Sequence, residues 1–275
     1  MGLHRKSDGM GDLQCPSMDP FTLLGVGFEA ATLTLKAVQV LQKSKSKSGR
    51  QQVAEVAQAV RNPACLLAAV RRGDAELVEM LLEMGADRNI DAGHKLRFRN
   101  EDVVGVTPLM VAAGMDNVSM VHVLLHHGAD IDAAARKRSG TRCTALVFAA
   151  ICGKYRAARL LLQEGDTAGG GLDDLGVTLL MAVVGNGDEQ MAELLAEYGA
   201  DVDEEGTYGW TALHYAAFEG RGAIAVKLLR VGADAGVETS RRRNRRGTVV
   251  WPGRTAFDVA WGRGNTRLAA MIRSC

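Results

Sequence analysis

Residues 105–130 have the sequence GVTPLMVAAGMDNVSMVHVLLHHGAD, and this stretch decides the fold of the chain. Thr107 is a good helix N-cap, because its hydroxyl accepts a hydrogen bond from an amide in the first turn, and Pro108 suits the first helical position. A second apolar run recurs at helical spacing up to Gly128, which suits the left-handed end of a helix. The pattern predicts two short antiparallel helices. Neither is long enough to be stable alone, so the pair must pack against similar units.

The same pattern recurs along the chain with a period of about 33 residues. A typical copy has a threonine, an alanine-rich segment, a break, a leucine run and a Gly-Ala-Asp turn or a variant of it. The copies start at Ala64, Thr107, Thr144, Thr178, Thr211 and Thr255; the first lacks the threonine, and the last follows the pattern only as far as Gly264-Asn265. These residues resemble the ankyrin repeat, whose pattern is T-P-L-H-x-A-A followed by a leucine run and G-A-D. The resemblance covers residues 62–275. It implies an all-α solenoid of about six helix pairs with hairpin finger loops, and a function in protein binding. The predicted repeats lie near 62–92, 105–135, 142–171, 176–205, 209–238 and 253–275.

The residues before the repeats carry a second informative stretch. Residues 1–19 are rich in Gly, Ser, Asp and basic residues and are predicted to be disordered. Residues 20–61 are predicted to form a helical capping segment with a Lys/Ser linker at 43–50, because the terminal repeats of a solenoid need covering. Within that segment, 21–42 is apolar nearly all round a helix. This is also typical of a partner-binding or membrane-surface helix, and a targeting presequence is a further alternative. Charged residues inside it argue against a transmembrane span.

Composition and scattered motifs argue against a catalytic or metal-binding role. The 275 residues are 47% hydrophobic but only 5% aromatic, so alanine and leucine must fill the core. The net charge is +1, so the chain has no strong overall electrostatic field. Five cysteines without paired spacing are typical of reduced thiols inside a cell. His122 and His126 lie one helical turn apart but lack an obvious third ligand, so no metal site is predicted. We expect no cofactor and no enzymatic activity.

The extra residues between repeats fall after the Gly-Ala-Asp turns, where the resemblance places finger loops on one edge of the stack, beside its concave face. The long fingers are basic. The first two carry the secondary candidate residues Arg97, Arg99, Arg136, Lys137, Arg138 and Arg142. The last carries Arg241, Arg242, Arg243, Arg245, Arg246 and Arg254. Long loops are often charged simply because they are solvated. The functional alternative is an electrostatic site for an acidic partner.

Aromatic residues sharpen the location of the candidate site. The resemblance implies that the residues flanking the T-P-L turn, and those after the Ala-Ala pair, face the concave surface. That phasing exposes Tyr208, Trp210 and Phe218 there, with Trp251 in the neighbouring basic finger. Large aromatic residues and arginine dominate binding hot spots, so these residues form the candidate partner-binding site. Burial of the tryptophans in the core is the alternative.

The family phasing carries four further expectations. His214 is the one histidine kept at its consensus position, and the resemblance implies that it ties neighbouring loops by hydrogen bonds. Val106, Gly114 and Met115 are expected at the exposed positions of the concave surface. Trp261 is expected to cover the end of the stack, outside the site. Residues 165–167 depart from Gly-Ala-Asp, which predicts a flexible seam between a front half and a back half.

The sequence therefore predicts a non-catalytic protein–protein interaction scaffold or adaptor. It is expected to be a cytoplasmic monomer, with the nucleus as a second location. It is expected to bind one or more proteins with an acidic or mixed surface through its concave face and finger loops, mainly those of the C-terminal repeats. Two alternatives stay open. One is a nuclear or nucleic-acid-associated regulator that uses the basic finger 241–246. The other is a membrane-surface adaptor held by the apolar helix 21–42.

Overall fold

The computed structural model of the chain describes residues 63–89, 96–98, 101–137, 142–165, 177–240, 242–243, 249–251 and 253–274. The predicted tail at 1–19 and the predicted capping segment at 20–61 lie outside these residues. So do most of the predicted seam and the candidate residues Arg99, Arg138, Arg241, Arg245 and Arg246.

Six helix pairs make up the described part of the chain. They are α1 Pro63–Arg72 with α2 Ala75–Glu83, α3 Pro108–Gly114 with α4 Val118–His126, α5 Ala145–Ile151 with α6 Tyr155–Gln163, α7 Leu179–Asn186 with α8 Glu189–Glu197, α9 Ala212–Phe218 with α10 Gly222–Arg230, and α11 Ala256–Gly262 with α12 Thr266–Arg273. The predicted all-α class of stacked helix pairs is confirmed. The longest of these helices has 10 residues, so no helix in the described ranges has the length or apolar character needed to cross a bilayer.

Short strands and one 3-10 turn lie in the loops between the pairs. The strands are β1 Leu96–Phe98, β2 Glu101–Val104, β3 Ala135–Lys137, β4 Arg142–Cys143, β5 Arg242–Arg243 and β6 Val249–Trp251, and the 3-10 turn is Thr207–Gly209. Strands β1 to β4 form one antiparallel sheet in chain order. The first and second fingers therefore join through β2 and β3, where Val103 lies opposite Lys137. Strand β5 pairs with β6 in a separate hairpin.

The helix starts follow the predicted capping chemistry. The hydroxyl of Thr107 accepts a hydrogen bond from the Met110 amide at 3.4 Å, and the hydroxyl of Thr178 accepts one from the Met181 amide at 3.1 Å. Gly128 follows the C-cap of α4 with φ +75°, in the left-handed region where glycine is unstrained. These local bonds satisfy amides that a short helix would otherwise leave unpaired, so α3 and α7 begin directly after their cap threonines.

The helices divide between two compact units, and the division falls between α6 and α7. In the first unit α1, α3 and α5 pack in one row, and α2, α4 and α6 pack in a second row. In the second unit α7, α9 and α11 form one row, and α8, α10 and α12 form the other. Alanines at the helix contacts, such as Ala112, Ala149 and Ala216, are 0% exposed and allow the short helices to approach closely.

The predicted exposure of Val106 and Gly114 is wrong. Val106 is 1% exposed, and Cys143 at the same position of the next repeat is 0% exposed. Gly114 is buried because Phe148 of the following repeat lies beside it, 3.9 Å from the place where a Cβ would stand. The position before the cap threonine is thus a core position in these two repeats.

Trp261 lies on α11, the last helix of its row in the described part of the chain. Its ring stacks on Phe257 with 6.1 Å between the centroids and stays 61% exposed. The equivalent residues of the preceding repeat, Leu213 and Ala217, are 0% exposed. The side of α11 that carries Phe257 and Trp261 therefore keeps an exposed ring.

Candidate functional site

Three aromatic rings come together on α9 and on the residue before its cap. The Trp210 ring lies 5.1 Å from the Tyr215 ring and 5.6 Å from the Phe218 ring, edge-on to both. All three side chains are partly exposed. We call Trp210, Tyr215 and Phe218 the aromatic patch. Edge-on pairs at these distances are favourable because the positive edge of one ring meets the negative face of the other.

The aromatic patch contains one residue that the sequence-based prediction missed. Tyr215 occupies the variable position of the T-A-L-H-x-A-A turn, and it lies three residues before Phe218. Residues three apart on a helix share a face, so this spacing was the available signal. Trp210 was expected to be exposed and is partly so, because its ring packs on both of these neighbours and lies 6.0 Å from the His214 ring.

An arginine from the next repeat completes one side of the aromatic patch. The guanidinium carbon of Arg263 lies 4.2 Å from the centre of the Phe218 ring, a cation–π distance. Its Nε also donates a hydrogen bond to the Phe218 carbonyl at 3.2 Å, at the last residue of α9. Cations are favourable at helix C-termini, so this contact both holds the helix end and fixes a positive charge at the patch. No local pattern around Arg263 predicts the contact.

Arg254 is held beside the aromatic patch by its backbone. Its N–H donates to the Thr239 hydroxyl at 3.0 Å, and its carbonyl accepts from the Thr239 amide at 2.9 Å. The same carbonyl lies 3.0 Å from Nε2 of His214. The Arg254 side chain is exposed. The predicted site residues Trp210 and Arg254 therefore both lie next to one buried histidine.

His214 is neutral and carries its proton on Nε2. The Thr211 amide can only donate, and it donates to Nδ1 at 3.2 Å, so Nδ1 is unprotonated. Nε2 must then donate to the Arg254 carbonyl. Burial lowers the pKa of His214 from its ordinary value, against smaller opposing effects from its hydrogen bonds and from Glu205. The expected tie between neighbouring loops is confirmed for this repeat.

His214→Leu is expected to lower the free energy of unfolding by about 1–3 kcal/mol, because it leaves the Thr211 amide and the Arg254 carbonyl without their partner. A lowered folded pKa means that the wild type loses this stability as the pH falls through the unfolded value of about 6.5. The difference in unfolding free energy between wild type and variant, measured by urea titration, should therefore be smaller at pH 5.5 than at pH 7.5. His122→Leu, which removes an exposed histidine, serves as the control. An unchanged difference across this pH range would contradict the assignment.

Tyr208 is presented on a tight turn of the finger before α9. It is 51% exposed and has a φ of +66°, which is rare for a residue with a side chain. Its carbonyl accepts a hydrogen bond from the Ser240 amide at 2.6 Å, which ties this finger to the following one. The predicted exposure of Tyr208 agrees with the structure.

The predicted basic finger is described in part. Arg242 and Arg243 form β5, and Arg242 lies directly opposite Trp251 in β6. The backbone of the fourth predicted aromatic residue thus lies next to the basic cluster.

The secondary basic residues lie on the four-stranded sheet. Arg97 is on β1 and Lys137 is on β3. Arg136 and Arg142 are both exposed and lie directly opposite each other on β3 and β4. Like charges in this arrangement repel each other, and a bound anion would relieve the repulsion.

The described residues contain no group of three or more His, Cys, Asp and Glu side chains placed to hold a metal ion. His126 ends α4 and contacts His127 edge-on, with 5.7 Å between the ring centres. Cys65, Cys143 and Cys152 are not in disulfides.

Comparison with known proteins gives consistent matches. A family model described as Ankyrin repeats (3 copies) matches residues 29–135, 66–168 and 146–239. The chain is 30% identical over 204 residues to the Nuclear factor NF-kappa-B p105 subunit of Gallus gallus, which covers 72% of this chain and 19% of that protein. It is 37% identical over 98 residues to the 2-5A-dependent ribonuclease of Homo sapiens, which covers 36% of this chain and 12% of that protein. The chain thus spans less than a fifth of the length of either relative.

Among solved structures, the chain is similar to the ankyrin repeat domain of Bcl-3, described as a unique member of the IkappaB protein family. The TM-score is 0.62 at 22% sequence identity, and the match covers 88% of this chain and 97% of that chain. This likeness shows a shared fold.

Proposed function

The chain belongs to the ankyrin-repeat family, whose repeats are general protein–protein interaction modules, and we propose that it is a non-catalytic scaffold or adaptor. Its protein partner binds on the aromatic patch and on the finger loops of the C-terminal repeats. Tyr208, Trp210, Phe218 and Arg254 contribute to this surface, as do Trp251 and the basic cluster 241–246. Tyr215 and Arg263 join them.

The observation that carries the proposal is the partly exposed aromatic patch. Trp and Tyr side chains are enriched among the few residues that supply most of the binding energy of an interface. The rings of Trp210, Tyr215 and Phe218 already contact one another, so a partner would meet an ordered surface. Binding to an ordered surface costs less side-chain entropy than binding to a mobile one.

The arginines around the aromatic patch favour a partner with an acidic or mixed surface. Arg254 and Arg263 are exposed, and Arg263 lies directly on the Phe218 ring. Arginine pairs well with carboxylates because its planar group donates two parallel hydrogen bonds. The exposed pair Arg136 and Arg142 gives the second finger the same preference.

A non-catalytic role agrees with the side chains of the site. The one buried titratable group there, among the described residues, is His214, and both of its ring nitrogens are engaged by the backbone. The similarity to the 2-5A-dependent ribonuclease is limited to 98 residues.

The proposal places a monomer in the cytoplasm, with the nucleus as a second location because basic clusters such as 241–246 serve as import signals.

Affinity purification combined with proximity labelling tests the proposal. Trp210→Ala/Phe218→Ala should remove a defined set of partners that the wild-type chain captures. For a purified partner the double change should cost about 2 kcal/mol or more, which is about 30-fold in Kd.

Trp261→Ala is the matched control, because it removes a ring that is 61% exposed and lies outside the aromatic patch. It should leave the partner set unchanged. Tyr208→Ala, at another exposed ring, gives an independent test if the double variant is unstable. Retention of every partner by both the Trp210→Ala/Phe218→Ala variant and the Tyr208→Ala variant would refute the proposal.

A further inference from the structure

A groove of about 970 Å³ lies in the α1–α6 unit. It is lined by residues from three consecutive repeats: the end of α1, the turn between α3 and α4 with the start of α4, and the first turn of α6. We call it the turn groove. None of its lining residues belongs to the aromatic patch.

The charge of the turn groove is positive. Its lining contains Arg71, Arg72 and Arg156, and among the lining residues Asp116 is the one carboxylate. Arg72 and Arg156 are exposed, and neither forms an ion pair with a carboxylate of the described residues. Burial lowers the pKa of Arg71 from its ordinary value, which reflects lost hydration around its guanidinium.

The walls of the turn groove are held together by hydrogen bonds between repeats. Asp116 adopts φ +57°, and its carboxylate accepts a hydrogen bond from the Ala157 amide of α6 at 2.9 Å. The Asn117 side chain caps α4 by accepting from the Met120 amide at 3.1 Å. Gly73 of the preceding turn approaches so closely that a Cβ there would lie 3.3 Å from the Asn117 side chain. The turn side chains Asp116 and Asn117 thus serve the fold, whereas Arg72 and Arg156 are exposed and make no such hydrogen bond within the part of the chain that the structure describes.

We propose that the turn groove binds an extended segment rich in aspartate and glutamate from a protein partner. Arg71 and Arg72 lie in the first repeat and Arg156 in the third, so these repeats are two packing steps apart. Each step is about 8–10 Å. Roughly five or six residues of an extended chain, at about 3.3 Å each, span that distance.

Several observations favour an acidic peptide over other anions. Positive charges spread along the groove match several carboxylates along a strand better than one compact dianion, and the arginine fork suits carboxylates. Single-stranded nucleic acids are usually held on aromatic side chains, and the described lining contains no Phe, Tyr or Trp. This inference needs no contribution from the aromatic patch, and the two surfaces can fail separately.

Fluorescence anisotropy with the full chain tests the proposal. The probe is a labelled peptide of about eight Asp and Glu residues, long enough to span the turn groove. Arg72→Gln/Arg156→Gln should weaken binding by about tenfold or more, because charge-assisted hydrogen bonds are lost. Arg230→Gln/Arg267→Gln removes two positive charges from exposed positions in the α7–α12 unit, outside the groove, and it should change Kd by no more than about twofold, because salt screens charges that do not touch the peptide.

A second variant leaves all the arginines in place. His122→Glu replaces an exposed lining histidine with a carboxylate. It should weaken binding of the same peptide several-fold, because the new carboxylate repels those of the peptide. Equal binding by wild type and both groove variants would overturn the proposal, as would equal losses in the control variant. The acidic-peptide assignment would also fail if a neutral Asn/Gln peptide bound equally well. Tighter groove-dependent binding of a DNA oligonucleotide or of anionic vesicles would overturn it as well.

Discussion

Leu124→Ala is expected to lower the free energy of unfolding by about 2–5 kcal/mol, the range for deleting a fully buried leucine side chain. Leu124 is 0% exposed on α4, and α4 packs between α2 and α6 in its row. Each repeat contacts only its neighbours, so a cavity in α4 weakens both interfaces of that repeat. Urea unfolding followed by circular dichroism would measure the loss.

Leu125→Ala is the control for this prediction. It makes the same chemical change on the next residue of the same helix, but Leu125 is only partly buried. Its expected cost is about 1 kcal/mol, because much less apolar area returns to water. Equal losses at the two positions would show that helix propensity, rather than packing between repeats, sets the stability of α4.

Gly209→Ala is expected to cost about 2–4 kcal/mol of unfolding free energy, from backbone strain and a steric clash together. Gly209 has φ +69°, and a Cβ there would lie 2.9 Å from the Ser240 amide nitrogen and 3.0 Å from its hydroxyl. The Ser240 amide cannot move away freely, because it donates to the Tyr208 carbonyl at 2.6 Å. The substitution should therefore also displace Tyr208 and weaken partner binding.

Gly199→Ala separates the two contributions. Gly199 has φ +85°, but a Cβ there would meet nothing within 4 Å. Its expected cost is about 1–2 kcal/mol, from the left-handed backbone alone. Thermal and urea unfolding of both variants would measure the difference. If Gly199→Ala proved as costly as Gly209→Ala, the contact between the two fingers would not matter for stability.

The helix pairs could be predicted from sequence because their signals are local. The bonds from the Met110 amide to Thr107 and from the Met181 amide to Thr178 join residues three apart. Gly128 acts through its own backbone angle. Such contacts form wherever the right residues lie within one turn, so the repeat pattern was sufficient to predict the fold class.

Exposure at a given repeat position could not be predicted in the same way. The position before the cap threonine is buried at Val106 and Cys143, partly exposed at Trp210 and exposed at Arg254. The pattern treats these residues as equivalent. Their burial differs because it depends on the side chains that adjacent repeats place beside them.

The sequence by itself determined the helix pairs, their caps and the position of Trp210 and Phe218 on one short stretch. Only the tertiary structure placed Arg263 on Phe218, 45 residues earlier in the chain, and the Arg254 carbonyl on His214, 40 residues earlier. The turn groove likewise joins residues of three repeats. The physical reason is that capping bonds act within one helical turn, whereas the charges and rings of a binding surface meet only when repeats stack.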